Sequence, residues 1–294
     1  MAFFIKYEFW YFYLKTLQQR KIKHYLIAGV FRPNQLFFKP YAKWYLAAIH
    51  GFNHLFLQEA ASYQLMKKTG KVEISIDGDP RIDSVLTIAA NPSPIPQIKQ
   101  FKSNKKLFIL GSSHTKDLQV FFAFLERIKV TPFFKDWRFL IAPHEIDNAS
   151  IEQIEHLSPM PIIRFTHKNK IDFAQEITLM ILDTIGQLST AYQYADMVFI
   201  GGGFDKSIHN LLEPAVFGLP ICFGPKHHHF KEAIDLIELG GAAAIQDAKG
   251  LTHWFTSLQA TQEREKIGQI CKKYTWQNKG ATQKIIDYLT SLSS

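Results

Sequence analysis

The chain alternates short apolar runs with longer amphipathic segments, and this pattern restricts its fold more than any other feature. The apolar runs fall at residues 3–6, 25–28, 55–57, 72–76, 107–110, 138–142, 162–165, 180–182, 197–200, 220–223 and 243–245. Several, 107–110 and 197–200 among them, are hydrophobic throughout, as strands covered on both faces should be. Helical patterns fill most of the gaps, for example over 117–129, 232–239 and 262–274. The pattern predicts an α/β protein built on parallel strands.

The stretch ANPSPIPQIKQFKSNKK is rich in Pro, Ser and Lys and lacks a clear period, so residues 91–105 read as a linker. The linker divides the chain into residues 1–90 and 106–294. The second part has the strands of a complete Rossmann-like domain. The first, with about four strands, has those of an incomplete one. At 294 residues, 47% hydrophobic and 20% charged, the chain can bury a core and is not disordered. Cys222 and Cys271 lie far apart without metal-type spacing, which argues against a disulfide framework and for a reducing compartment. The aromatic start, MAFFIKYEFWYFYL, is interrupted by Lys6 and Glu8 and is too short to span a bilayer.

The net charge of +8 is unevenly distributed. Residues 1–60 carry eight Lys and Arg against Glu8 and Glu59, and 17 of the 41 aromatic residues. Basic side chains mixed with aromatics suit an anionic membrane surface, a phosphorylated lipid or a nucleic acid. A solvated basic face over an aromatic core is the plainer reading.

In an open parallel sheet, ligands sit beyond the C-terminal ends of the strands. Four segments occupy such ends. In FIGGGFDKSIHNLLEPAVFGLP, Gly201, Gly202 and Gly203 lack the side chains that would keep backbone N–H groups from an anion. Pro214 must lie in the first helical turn, which makes Asn210 the N-cap, Leu211 the first helical residue and Glu213 the third. Asn210 and Glu213 then form a capping-box variant. The same helix start favours a phosphate, Glu213 can accept from a ribose diol, and His209 sits beside both. In MILDTIGQL, Ile185 and Gly186 follow a strand, where backbone groups can read a base edge or simply turn the chain. In FILGSSHTKDL, Ser112 and Ser113 suit an anion or an ordinary cap. Glu8, just past the first run, is a candidate general base or sugar ligand, or a helix-start acid. His144 lies at another strand end. The tract His227, His228, His229 has no supporting Cys, His or Asp spacing, so no metal site is expected.

Together these segments resemble 3-deoxy-D-manno-octulosonic acid (Kdo) transferase, which adds Kdo to lipid A precursor. The matching motifs run in order: KYEFW, GDPRID, GSSH, APH, DTIGQL, YADMVFIGGGF, HNLLEPAVFGLPICFGP and FKEA. The resemblance implies a GT-B-like architecture, an inverting transfer and CMP-Kdo as donor substrate, with no cofactor. It implies lipid A precursor and an anionic membrane surface as partners, with no nucleic acid, at the cytoplasmic face of the bacterial inner membrane. Carried over by motif, Gly202, Gly203, His209, Asn210 and Glu213 lie near phosphate and ribose, and Ile185 and Gly186 near cytosine. Ser112, Ser113 and His144 line the same cleft, and Glu8 matches one of two N-terminal acids. The family's chain ordinarily starts earlier, with a membrane anchor and a Gly-rich loop bearing the proposed base. The expectation is therefore a peripheral, truncated chain lacking that base. Pro143, Pro80 and His229 replace the family's usual Arg, Thr and Asn. A non-catalytic CMP-binding remnant and a GT-B transferase using a UDP-sugar are the alternatives.

Overall fold

A computed structural model describes residues 1–70, 72–167 and 177–292. It divides into two compact units, Met1–Ser84 with Asn278–Ser294, and Val85–Gln277. Each carries one parallel sheet, and each of the eleven apolar runs overlaps a strand.

The first unit holds β1 (Ala2–Ile5), β2 (His24–Gly29), β3 (His54–Leu57) and β4 (Ile74–Ile76), in that spatial order. Side chains alternate across the sheet because strand periodicity is two. Leu26, Leu55 and Leu57 face a core with Leu14, Phe31, Ile49 and Met66. Tyr25 and Phe56 face the other way, against Ile285 of the helix Ala281–Ser291. That helix is tied down by Asp83, whose carboxylate accepts from the Gly280 and Thr282 amides at 2.6 and 2.7 Å. The C-terminal residues therefore belong with the N-terminal sheet, which differs from the sequence division at 90 and 106.

The second unit holds β5 (Lys106–Ser113), β6 (Trp137–Pro143), β7 (Ile162–Arg164), β8 (Leu179–Ile181), β9 (Met197–Ile200), β10 (Ile221–Phe223) and β11 (Ala242–Ala244). Their order is β11-β10-β9-β5-β6-β8-β7, all parallel. Phe108, Phe121, Phe124, Trp137, Phe139, Phe199 and Phe255 fill its core. The stretch expected as a linker carries the helix Pro96–Lys102. Ile95, Ile98 and Phe101 recur every three residues and are buried, while Pro96 opens the helix where its missing N–H is harmless. The segment is fastened to its own unit by the Ile95 amide on the Tyr194 hydroxyl (2.8 Å) and by Lys102 Nζ on Asp196 Oδ2 (2.7 Å).

Candidate functional site

β5 is the first strand of its sheet in sequence, with β6 on one side and β9 on the other. Chain connections leave in opposite directions there, which opens a crevice at the C-terminal ends of the strands. Three segments meet there: the end of β5 at Gly111–Ser113, the end of β6 at Pro143 with His144 beyond it, and the loop Gly201–Gly203 after β9.

Their backbones pack against one another. A Cβ on Gly201 would lie 2.4 Å from the Ser112 carbonyl oxygen, and one on Gly203 would lie 2.6 Å from the Gly224 nitrogen. Gly202 has φ +88° as well. The glycines are thus required by close approach. Two of the three amides that the sequence reading offers to an anion have partners within the protein. The Gly201 amide donates to the Gly111 carbonyl (2.8 Å), and the Gly202 amide to Asp117 Oδ2 (2.7 Å). Asp117, fully buried at the start of the helix Thr115–Ile128, also accepts from the His114 and Phe204 amides. Burial raises its pKa above the ordinary carboxylate value, against those amides. The carboxylate holds the Gly202 turn in shape.

The pairing of β5 with β6 shifts register between Gly111 and Ser113, and Ser112 takes φ 54°. Such a bulge re-aims side chains at a strand end. Ser113 is buried with its Oγ unpartnered in the described structure, and Ser112 is half-buried.

Beyond the loops, His114, His144 and His209 converge from the ends of β5, β6 and β9. His114 Nε2 and His209 Nε2 are 2.9 Å apart, and the ring centroids lie 4.6 to 5.1 Å from one another. His209 is held down to a pKa of about 4, first by burial and then by the two neighbouring imidazoles. His114 and Asp117 were not singled out from sequence. Their signal was positional, a His at a strand end followed three residues later by an acid.

Asn210 and Glu213 stand next to His209. Asn210 Nδ2 donates to Glu213 Oε1 (3.0 Å), and Asn210 Oδ1 accepts from the Leu212 amide (3.2 Å). The helix begins one residue later than expected, at Leu212, with Leu211 as N-cap and only five residues to Val216. So short a helix contributes little macrodipole.

The other expected residues lie apart from this cluster. Gly186 turns at φ +83° in open space after β8, and Ile185 beside it is 86% exposed. Asp183 anchors that turn by accepting from the Thr166 amide (3.0 Å). Glu8 belongs to the first unit, is exposed and accepts from the Trp10 indole. It lines a cavity of about 640 Å³ with Phe4, Ile5, Lys6, Trp10 and Tyr13. His227 packs its ring at a tilt against Phe223 and His228.

Two Rossmann-like units, one with a polar crevice at its switch point, define a protein of GT-B-like fold. Residues 1–84 match the family model described as 3-Deoxy-D-manno-octulosonic-acid transferase (kdotransferase), and the chain is similar to curated proteins of that name. It is 34% identical over 142 residues to the 3-deoxy-D-manno-octulosonic acid transferase of Chlamydophila psittaci, covering 47% of this chain and 30% of that one. It is 26% identical over 254 residues to the Chlamydia muridarum protein of the same name, covering 82% and 56%. The chain thus spans little more than half the length of these curated relatives at most. Among solved structures it is similar to the C-terminal CMP-Kdo binding domain of WaaA from Acinetobacter baumannii. That likeness has a TM-score of 0.53 at 20% identity, over 65% of this chain and 97% of that one. At such identity it bears on fold alone.

Proposed function

We propose that this chain works in Kdo transfer from CMP-Kdo to lipid A precursor, with inversion at the anomeric carbon. The observation that carries the reading is the cluster of His114, His144 and His209 beside the Asn210–Glu213 pair, at the switch point of a Kdo transferase relative. CMP-Kdo has a phosphate diester and a carboxylate, two acidic groups that imidazole N–H donors suit. The Glu213 carboxylate is suited to a ribose diol, and exposed Ile185 on its Gly186 turn to the face and edge of cytosine.

Inverting transfer joins an acceptor hydroxyl oxygen to the anomeric carbon as the bond to the CMP phosphate breaks on the opposite face. A base takes the hydroxyl proton, and CMP departs with the electron pair. Glu8, exposed beside an apolar cavity, is the candidate for that base in this chain. Around it, Trp10, Phe12, Tyr13, Tyr41 and Trp44 are all more than half exposed, among Lys15, Lys39 and Lys43. This mixture supports docking on an anionic lipid surface at the cytoplasmic face of the inner membrane. No helix among the described residues is long and apolar enough to cross a membrane.

Calorimetry with CMP and UDP tests the donor reading: CMP should bind with 1:1 stoichiometry, and UDP more weakly. Absence of CMP heat overturns it, and tighter UDP binding transfers the site to a UDP-sugar. A radiolabel assay with CMP-Kdo and lipid A precursor then tests transfer. Binding without incorporation would make the chain a donor-binding protein only.

A further inference from the structure

Binding the donor's two acidic groups uses imidazole N–H donors, but it does not call for three ring nitrogens within reach of one another. The ligand nitrogens of His114, His144 and His209 all lie within 4.8 Å of one another, and no carboxylate belongs to the group. We infer that these three residues form a binding site for a divalent transition metal, of which Zn²⁺ is the representative, with an open coordination position toward solvent.

Imidazole donors suit Zn²⁺, Ni²⁺ and Cu²⁺, whereas Mg²⁺ and Ca²⁺ select oxygen. With Zn–N near 2.0–2.1 Å, tetrahedral angles put ligand nitrogens about 3.3 Å apart. The His114–His209 pair, at 2.9 Å, needs to open by only a few tenths of an ångström. The backbone is already set for this. The His114 amide is held by Asp117 (2.9 Å), the His144 amide by the Ser113 carbonyl (3.0 Å), and the His209 amide by the Gly201 carbonyl (3.1 Å). Ligation asks the His114–His209 pair to part slightly and His144, within 4.8 Å of both, to swing inward by side-chain rotation. Three ligands come from the segments that follow three neighbouring strands, two half-buried and one, His144, exposed. That leaves one side uncovered, as in zinc sites with three protein ligands that keep a fourth position for water or substrate. The inference stands without the nucleotide reading, since it uses only the three side chains and their loops.

The test is titration of chelator-treated full chain with Zn²⁺ by calorimetry and with Co²⁺ by visible absorption. One metal per chain is expected, with Co²⁺ bands characteristic of nitrogen ligation. His144→Ala should weaken binding by roughly 100-fold, or at least tenfold. Because His144 is exposed, its variant should keep the parent's circular dichroism and thermal midpoint, and His209→Gln provides a second reading. A His227→Ala/His228→Ala variant should bind as the parent does. Unchanged affinity in the folded His144 variant, loss of binding in the His227/His228 variant, or no metal heat at all would overturn the inference. CMP calorimetry in chelator keeps the two readings distinct: CMP heat without metal binding sinks only the metal site, and the reverse sinks only the nucleotide reading.

Discussion

The two units are built from the same material, parallel strands over phenylalanine-rich cores, yet they present opposite chemistry. The second unit, with seven strands, gathers its polar groups at one switch point and locks them through buried Asp117 and the close-packed Gly201 and Gly203. The first, with four strands, leaves β1 at the edge of its sheet with Phe3 and Ile5 exposed, and shows Trp10, Phe12 and Tyr13 nearby. Fixed polar geometry is what a small charged ligand needs. An exposed apolar face rimmed by lysines is suited to a surface. Substitutions that stress each kind of construction separate them.

The largest effects should come from the second unit's core and its glycine loops. Phe108 is fully buried among Phe121, Phe124, Phe139 and Phe255, so Phe108→Ala should destabilise by about 3–5 kcal/mol in urea denaturation. Gly201→Ala forces a Cβ onto backbone atoms that cannot rotate away, which should take about 3 kcal/mol or more. Gly186→Ala meets only the strain of positive φ in open space, about 1–2 kcal/mol, and Gly70→Ala in the first unit should match it. Equal effects at Gly201 and Gly186 would show that the loops are not packed as described.

These contrasts also mark what sequence could reveal. The strands were legible because runs such as 107–110 are apolar on both faces, and only a doubly covered sheet asks for that. The helix Pro96–Lys102 was hidden because seven residues give a weak period and its prolines and lysines read as a linker. The return of Ala281–Ser291 to the first sheet depends on Asp83 reaching the Gly280 amide across most of the chain. Nothing local announces such a contact. The imidazole cluster needed the strand order: His114 and His209, 95 residues apart, meet only because β9 lies beside β5. The helix start was expected one residue early, with Asn210 as N-cap where the structure has Leu211, because Pro214 bounds the start of a short helix without fixing it.

Acid should separate the units by pH window. Asp79, buried in the first unit, would be raised by desolvation, but hydrogen bonds and charge from Arg81, with Lys6, hold it below the ordinary value. Its contribution is complete above the unfolded carboxylate pKa and is lost as pH falls below about 4. Asp79→Asn should cost about 1.5–3 kcal/mol at neutral pH and flatten that limb. His209 acts earlier. Its folded pKa of about 4 lies below the unfolded imidazole value, so the unfolded chain binds the extra proton first. Stability is full above that unfolded value and falls with pH down to about 4. Asp117, raised by burial, works in the reverse sense, losing its contribution as pH climbs through its folded value. The readout is therefore the difference between the parent and His209→Gln in urea midpoint from pH 4 to 7. A difference that does not change with pH would remove His209 from the account.

The smallest stability effects should fall on the first unit's exposed aromatics, and these sharpen the comparison most. Phe12 is 80% exposed and Trp44 53%, so Phe12→Ala and Trp44→Ala should each change stability by no more than about 0.5 kcal/mol. If the face exists for a surface, the same variants should lower binding to vesicles containing anionic lipid, in a sedimentation assay at low salt. Lys15→Glu, on the helix Tyr11–Gln19, should lower it further, by about 2 kcal/mol for a full charge reversal near the membrane. Raising the salt should weaken the parent's binding but change that of the Lys15 variant less, because screening acts on charge and not on the apolar contacts. Vesicle binding unaffected by all three substitutions would leave the exposed aromatics without a lipid role, and the contrast between the units would then rest on the second unit alone.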